Sequence, residues 1–229
     1  MTVTLTWLGH AAFRITDGTD VVLVDPFLTG NPSAAETADA QQPTVIVVSH
    51  AHNDHVGDAG AISARTGAPL VTTFELGTYL ARAQGANAIP ANAGGTVVVG
   101  GVSVKLVAAV HTSAYDDGET FVAPGAAVGS VIRIGGKAIY HAGDTALFGD
   151  MALIGSEGLD AALIPIGGHF TMDPSDAARA ARLLAAPVVV PMHFNTFPPI
   201  QQDAGRLVDA LAGDAAEVRV LAPGESTTL

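Results

Sequence analysis

Four side chains that can bind a metal ion lie close together in the run Ser49-His50-Ala51-His52-Asn53-Asp54-His55. The run follows the apolar segment Thr44–Val48, which is typical of a buried strand, and it precedes a helical pattern that begins near Val56. In an extended stretch His50 and His52 point the same way, so both can reach one ion. Asp54 and His55 lie beyond the turn and can reach a second ion nearby. A lone histidine there would usually be structural, but H-x-H-x-D-H spacing indicates a metal site.

Three more candidate ligands follow other predicted strands. His111 closes the predicted strand Val102–Val110, and Asp144 lies just beyond the strand that ends at His141. His193 follows the apolar segment Val188–Pro191. Loops at the ends of strands are where enzymes of mixed α/β architecture usually carry their chemistry.

Further motifs extend the pattern from residue 7 to residue 194. They are Trp7-Leu8-Gly9-His10-Ala11, Asp25-Pro26-Phe27, Tyr140-His141-Ala142-Gly143-Asp144-Thr145, Gly167-Gly168-His169-Phe170-Thr171-Met172 and Pro191-Met192-His193-Phe194. With the His run, they resemble the metallo-β-lactamase superfamily. More narrowly, the chain is similar to the small metal-dependent hydrolases grouped as UPF0173, relatives of the L-ascorbate-6-phosphate lactonases.

The resemblance implies a fold and a ligand set. The fold is an α/β (α+β) αββα four-layer sandwich, here a single domain over residues 1–229. The cofactors are two divalent metal ions, Zn or Mn, with Fe or Ni as alternatives. The implied ligands are His50, His52 and His111 for the first ion, Asp54, His55 and His193 for the second, and Asp144 as the bridge. A carboxylate suits a bridge because its two oxygens can bind two cations.

Four further residues have candidate supporting roles. Asp25 is expected to orient a ligand imidazole, or else to cap the turn before Pro26. His10 and His141 are candidates for a supporting or substrate contact, with a core histidine as the alternative at 141. His169 follows two glycines that let its loop approach the metals, so it is the candidate proton donor to a leaving group. If His169 only shapes the loop, its loss would lower stability instead.

Composition narrows the classes of protein and partner. The 229 residues are 48% hydrophobic and 14% charged, which indicates a large core and predicts a homo-oligomer. There is no cysteine, so an Asp-Cys-His ligand set is excluded and the site is restricted to N and O ligands.

The net charge of −12 argues against nucleic acid as a partner. Lacking a secretory signal pattern and any apolar run of ~20 residues, the chain is expected to be cytoplasmic, with a small-molecule substrate and no membrane partner.

The expected chemistry is hydrolysis of an ester, lactone, amide or phosphodiester. Two cations would hold a hydroxide between them, Asp54 would bind metal and orient that hydroxide, and one metal would polarise the substrate oxygen. The kinship with lactonases favours a lactone or ester. The alternatives are an iron-dependent redox enzyme of the same fold, a nucleic-acid-processing hydrolase, and a metal-binding protein without catalysis. Residues 29–43 are expected to form a surface loop over the site.

Overall fold

Two seven-stranded sheets form the body of the molecule in the computed structural model, which describes residues 2–229. In chain order the strands are β1 Thr4–Gly9, β2 Ala12–Thr16, β3 Val21–Val24, β4 Val45–Val47, β5 Leu70–Thr73, β6 Ala88–Ala91, β7 Thr96–Val99, β8 Val102–Ala108, β9 Tyr115–Asp116, β10 Phe121–Val122, β11 Val128–Ile134, β12 Lys137–His141, β13 Ala161–Pro165, β14 Val188–Met192, β15 Glu217–Val218 and β16 Ser226–Thr228. The helices are α1 Asn53–Val56, α2 Ala59–Thr66, α3 Phe74–Gln84, α4 Met151–Gly155, α5 Pro174–Leu184 and α6 Gly205–Ala210. Short 3-10 turns cover Ala38–Ala40 and Pro198–Ile200.

The two sheets repeat one pattern of strand directions. The first has the order β16-β1-β2-β3-β4-β5-β6, antiparallel from β16 to β3 and parallel from β3 to β6. The second has the order β15-β14-β13-β12-β11-β8-β7, antiparallel from β7 to β12 and parallel from β12 to β15. The pattern matches the two similar halves that the resemblance implies.

Residues of β4 show how the layers form. Val45 and Val47 lie in the large apolar core that includes residues of both sheets, while Ile46 and Val48 lie in a second core with residues of α2 and α3. Alternate residues of a strand face opposite sides, so a strand covered on both sides is apolar throughout. The helices α5 and α6 cover the second sheet with buried residues such as Ala177 and Leu207. The αββα architecture predicted from the sequence is therefore confirmed.

Several element boundaries differ from the prediction. The strand β8 ends at Ala108, so His111 lies three residues beyond the strand instead of directly after it. The first helix begins at Asn53, so Asp54 and His55 lie on a helical turn that ends before Gly57. The 114–126 loop carries the two short strands β9 and β10. Among the helices described, none is long and apolar enough to cross a membrane.

Candidate metal centre

Three imidazoles from two loops converge on one point. His50 and His52 follow β4, and His111 follows β8. One ring nitrogen from each lies within 4.8 Å of the others, and His50 Nε2 is 2.9 Å from His52 Nδ1. His50 is buried, whereas the other two are partly exposed. These three residues are a set of nitrogen donors suited to one cation.

A second group lies beside the first. Asp54 and His55 come from α1, His193 follows β14, and His10 follows β1. One ligand atom from each of the four lies within 4.8 Å of the others. This cluster combines one carboxylate with three imidazoles. The structure thus places His10 closer to the candidate ligands than the sequence alone indicates.

Asp144 lies between the two groups. Its Oδ1 is 3.2 Å from His55 Nε2, and its Oδ2 is 3.1 Å from His193 Nε2 and 3.5 Å from His111 Nε2. One carboxylate therefore contacts imidazoles of both clusters. Such a position suits a bridging ligand.

Orphaned polar atoms test whether these residues fit metal ions. Within residues 2–229, His55 Nε2, Asp144 Oδ1 and His193 Nε2 are buried and have no hydrogen-bond partner. Leaving a buried donor or acceptor unsatisfied costs about 1–3 kcal/mol. His55 Nε2 lies 3.2 Å from Asp144 Oδ1 and His193 Nε2 lies 3.1 Å from Asp144 Oδ2, so cations bound at this carboxylate would satisfy these atoms. The donor set therefore fits the divalent cations that the sequence implies.

Asp25 holds the ligand imidazoles in place. Its Oδ2 accepts hydrogen bonds from His55 Nδ1 at 2.7 Å and from Ser49 Oγ at 2.6 Å, and its Oδ1 accepts one from the Ser49 amide at 2.7 Å. The Ser49 hydroxyl also lies 2.9 Å from His50 Nδ1. With their Nδ1 atoms held in this way, His55 and His50 present Nε2 to the centre, the usual outer arrangement of a metal-bound histidine. This is the orienting position expected for Asp25.

The carboxylates of the centre are ionised. Burial acts to raise the pKa of Asp144, but the charges of His193 and His55 outweigh it and hold that pKa well below its usual range. Burial likewise acts to raise the pKa of Asp54, and the hydrogen bond from His10 with the nearby imidazoles lowers it. Both groups are therefore acceptors for cations at neutral pH.

The imidazoles divide into two protonation classes. Burial lowers the pKa of His50 well below its ordinary value and, together with His193, lowers the pKa of His10 to about 4. Burial also acts to lower the pKa of His55, but the carboxylates of Asp144 and Asp25 outweigh it and raise that pKa well above its ordinary value. His50 and His10 are thus neutral, whereas His55 must lose a proton when it binds a cation.

Backbone strain is concentrated at this centre. His10 and His193 have φ values of 56°, and Asp25 has a φ of 42°, in the left-handed region that L-residues seldom adopt. Such strain persists where the surroundings fix the conformation, and it clusters at functional sites. The glycine before His10 is also required, since a Cβ on Gly9 would lie 2.3 Å from the carbonyl oxygen of Ser33. The 29–43 loop therefore packs against the turn that carries His10.

His141 does not face the centre. Its Nε2 bonds to the carbonyl oxygen of Ala11 at 2.9 Å, and its Nδ1 accepts a hydrogen bond from the Gly143 amide at 3.1 Å. Both ring nitrogens are thus satisfied by backbone groups, and the ring is fully buried. This is the environment of a core histidine, the alternative given for residue 141. Its Nδ1 lies 4.0 Å from Asp25 Oδ2.

His169 is next to Phe170, which lines the cavity over the clusters. Its side chain is exposed and its ring packs edge-on against Phe170 at 4.5 Å between centroids. The structure does not bring His169 into either cluster, so its proton-donor role stays a prediction. The glycines before it serve another residue, because a Cβ on Gly167 would lie 2.6 Å from the carbonyl oxygen of His193.

A cavity of about 340 Å³ opens over the two clusters. It is lined by His52, Asp54, His111, Thr112, Asp144, Phe170 and His193. Phe170 supplies its apolar wall and is itself 56% exposed. No lysine or arginine is among these residues. The cavity is therefore lined by candidate metal ligands together with one aromatic side chain.

Three supporting residues were missed in the sequence. Ser49 links Asp25 to His50, Thr196 contacts His10, and Phe170 lines the cavity. Ser49 and Phe170 each adjoin a candidate histidine, which was the available signal. Thr196 gave no signal in the sequence, because its contact is with His10, 186 positions away.

Comparisons with known proteins identify the relatives of this chain. Residues 4–193 match the family model described as the beta-lactamase superfamily domain. A UPF0173 metal-dependent hydrolase of Thermus thermophilus is 49% identical over 97% of both chains, and one of Methanopyrus kandleri is 48% identical over 97% of this chain and 98% of the relative. Igni18, a metallo hydrolase from Ignicoccus hospitalis, superposes with a TM-score of 0.89 at 40% identity, over 100% of this chain and 99% of that one.

Proposed function

This chain belongs to the beta-lactamase superfamily and, within it, to the UPF0173 metal-dependent hydrolases, and we propose that it hydrolyses a small ester or lactone at a centre of two divalent cations. The observation that carries the dinuclear part is the position of Asp144, within 3.5 Å of imidazoles from both clusters. Zn or Mn suits the N and O donors, and Fe or Ni is compatible with them.

The side chains of the protein would hold the two cations, and their neighbours orient the imidazole ligands. His50, His52 and His111 would hold one cation, Asp54, His55 and His193 the other, with Asp144 between them. When bound, two such cations supply an activated water at neutral pH and polarise the oxygen of the substrate that develops charge. Asp25 and Ser49 keep the imidazole nitrogens directed inward.

Asp54 is placed to meet both cation and substrate. Its side chain is 32% exposed and lines the cavity, whereas Asp144 is only 3% exposed. Its ionised carboxylate can bind a cation through one oxygen and orient an attacking water, the catalytic role that we propose for it. General acid–base or orienting groups of this kind must lie within hydrogen-bond reach of the reacting atoms.

The cavity lining favours an uncharged ester or lactone over a phosphodiester. Phosphate recognition in proteins usually uses arginine or lysine, and neither lines the cavity. Phe170 instead offers an apolar surface for the acyl or ring carbons of the substrate. Hydrolysis of a phosphodiester is the second candidate, since cations alone can hold a phosphoryl oxygen.

Two substrates with a common leaving group test the proposal. The protein is loaded with Zn or Mn and assayed on 4-nitrophenyl butyrate, bis(4-nitrophenyl) phosphate and a γ-lactone. We expect metal-dependent turnover, faster on the ester and the lactone. Asp144→Asn should abolish it, and Asp214→Asn, a surface carboxylate paired with Arg182, is the matched control. Turnover that survives chelation, or an Asp144→Asn variant as active as the control, would contradict the proposal.

A further inference from the structure

His10 is a buried imidazole with both ring nitrogens engaged. Its Nε2 lies 3.2 Å from Asp54 Oδ2, and its Nδ1 lies 2.8 Å from Thr196 Oγ1. The ring is fully buried, and Thr196 is 7% exposed. The three residues come from the turn after β1, from α1 and from the loop after β14, so the contact joins elements that are distant in sequence.

The His10–Asp54 contact has hydrogen-bond geometry. Within residues 2–229, His55 Nε2 and Asp144 Oδ1 are also 3.2 Å apart, yet neither atom forms a hydrogen bond. Hydrogen-bond geometry alone does not separate a ligand from the partner of a ligand, because the candidate ligand atoms His50 Nε2 and His52 Nδ1 also show it at 2.9 Å. His10 differs from that pair in that its partner is a carboxylate: Asp54 accepts through Oδ2 and keeps Oδ1 for a cation.

Chemistry fixes which atoms carry the hydrogens in the contacts of His10 with Asp54 and Thr196. A carboxylate oxygen accepts hydrogen bonds, so the tautomer of His10 that contacts Asp54 has its hydrogen on Nε2. Nδ1 is then an acceptor, and the Thr196 hydroxyl donates to it. One tautomer therefore satisfies both contacts at once.

The Asp54 carboxylate receives fewer hydrogen bonds than that of Asp25. Asp25 accepts three hydrogen bonds from Ser49 and His55. Across residues 2–229, the hydrogen bond from His10 is the one that the Asp54 carboxylate receives. Without it, a partly exposed carboxylate on a four-residue helix would be free to change rotamer.

The site of His10 is itself rigid. Phe27 and Phe197 pack edge-on against the ring at 5.8 and 5.6 Å between centroids. The carbonyl oxygen of His10 accepts hydrogen bonds from Trp7 Nε1 and from the His193 amide, each at 2.9 Å. A donor that must fix another side chain needs such support, because rigid neighbours lock its rotamer.

We propose that His10 is a positioning residue, which holds the Asp54 carboxylate ready for the second cation through the chain Thr196–His10–Asp54. The inference rests on the proposed dinuclear function. Metal-ligand partners of this kind typically contribute about 10–100-fold to metal affinity. His10 therefore acts through Asp54 and does not itself bind the cation.

The test is a metal titration of chelator-treated protein with Mn²⁺ and with Zn²⁺, compared among wild type, His10→Ala, His10→Gln and Thr196→Val. We expect His10→Ala to weaken the binding of one of the two equivalents about 10–100-fold relative to the other, so that a singly loaded form accumulates during the titration. His10→Gln should recover most of the affinity, because the glutamine amide can donate to Asp54 from a similar position. Thr196→Val, of nearly the same shape, should show a smaller loss.

Each other outcome has a defined meaning. If His10→Gln is as damaging as His10→Ala while Thr196→Val is harmless, His10 is a direct ligand and the inference is wrong. If all three variants lose melting temperature but keep both affinities, the role is only structural and the inference is wrong. A wild type that binds a single equivalent refutes the dinuclear function instead, and the same variants then test the inference on that equivalent. Should His10→Ala not fold, the other two variants still decide.

Discussion

The backbone amide of His193 donates a 2.9 Å hydrogen bond to the carbonyl oxygen of His10, and both residues have a φ of 56°. His10 follows β1 of the first sheet and His193 follows β14 of the second. The two sheets are therefore joined by main chain at the centre itself. Neither residue can relax its strained conformation without disturbing the other, so the position of the imidazoles is fixed from both sides.

Metal removal should lower the stability of the protein. Within residues 2–229, buried atoms of His55, Asp144 and His193 have no hydrogen-bond partner, so cations that satisfy them bind the folded state and not the unfolded chain. Free metal at about 100 times its Kd would add about 2.7 kcal/mol for each occupied site. For a chain of this size each site corresponds to a rise in Tm of about 5–10 °C. Melting curves with and without a chelator measure the shift, and identical curves for metal-loaded and metal-free protein would refute it.

Asp144→Ala should affect metal binding far more than His141→Ala. Asp144 contacts imidazoles of both clusters, so its loss should lower metal content and hydrolysis together. His141 bonds to Ala11 and Gly143 backbone atoms, and its loss leaves those buried groups unpaired at a cost of about 1–3 kcal/mol. Elemental analysis, turnover and Tm on the same preparations separate the two effects. Metal loss in His141→Ala with retention in Asp144→Ala would reverse the assignment.

Phe170 and His169 are neighbours with different expected roles. Phe170 lines the cavity, so Phe170→Ala should raise KM for an ester with an apolar acyl group and leave kcat largely unchanged. His169 contacts Phe170 edge-on, and its proton-donor role stays a prediction. For that role we expect His169→Ala to keep both metals and to lose about 10²–10⁴-fold in kcat, the usual contribution of a general acid. Unchanged turnover with both metals bound would refute the donor role, and a lower Tm with the same turnover would show that His169 only shapes its loop.

A homo-oligomer is expected from the apolar surface. Phe121, Leu153 and Val98 are 77%, 67% and 69% exposed, in a chain that is 48% hydrophobic. Apolar side chains of this size usually become buried at subunit interfaces when they form contiguous patches. Light scattering at micromolar concentration gives the mass directly. A monomer mass at that concentration would contradict the expectation. The separate variants Leu153→Glu and Phe121→Glu would test which of the two surfaces forms the subunit interface.

Strand patterns and strand ends could be predicted from the sequence because they follow from alternation and from local apolar runs. The segment Thr44–Val48 is one example, since both of its faces are buried. Strand β6 was missed because it contains Pro90, which is tolerated there only because β6 is an edge strand. Strand β16 was missed because its pairing with β1 is set by tertiary contact and not by local pattern.

Prediction of the metal centre from the sequence also succeeds where the signal is local and fails where it is not. Ligand types and their order at strand ends are visible in the sequence, and the structure brings all seven candidates together. Side-chain direction is not visible. The Gly-Gly pair before His169 predicts a loop that approaches the metals; in the structure Gly167 makes room for the His193 carbonyl and the His169 side chain is exposed. Left-handed φ values at His10 and His193 depend on contacts between distant residues and leave no local signal.

Ser49 couples the two halves of the centre. Its hydroxyl contacts His50 of one cluster and Asp25, which in turn holds His55 of the other. Ordering one imidazole therefore orders part of the second site, and such coupling is reciprocal. Loading should consequently be cooperative, with half-filled molecules scarce. At half the saturating amount of metal, native mass spectrometry should find mainly empty and doubly loaded chains. The metal supply of the cell would then set how many molecules are active, more than how active each molecule is.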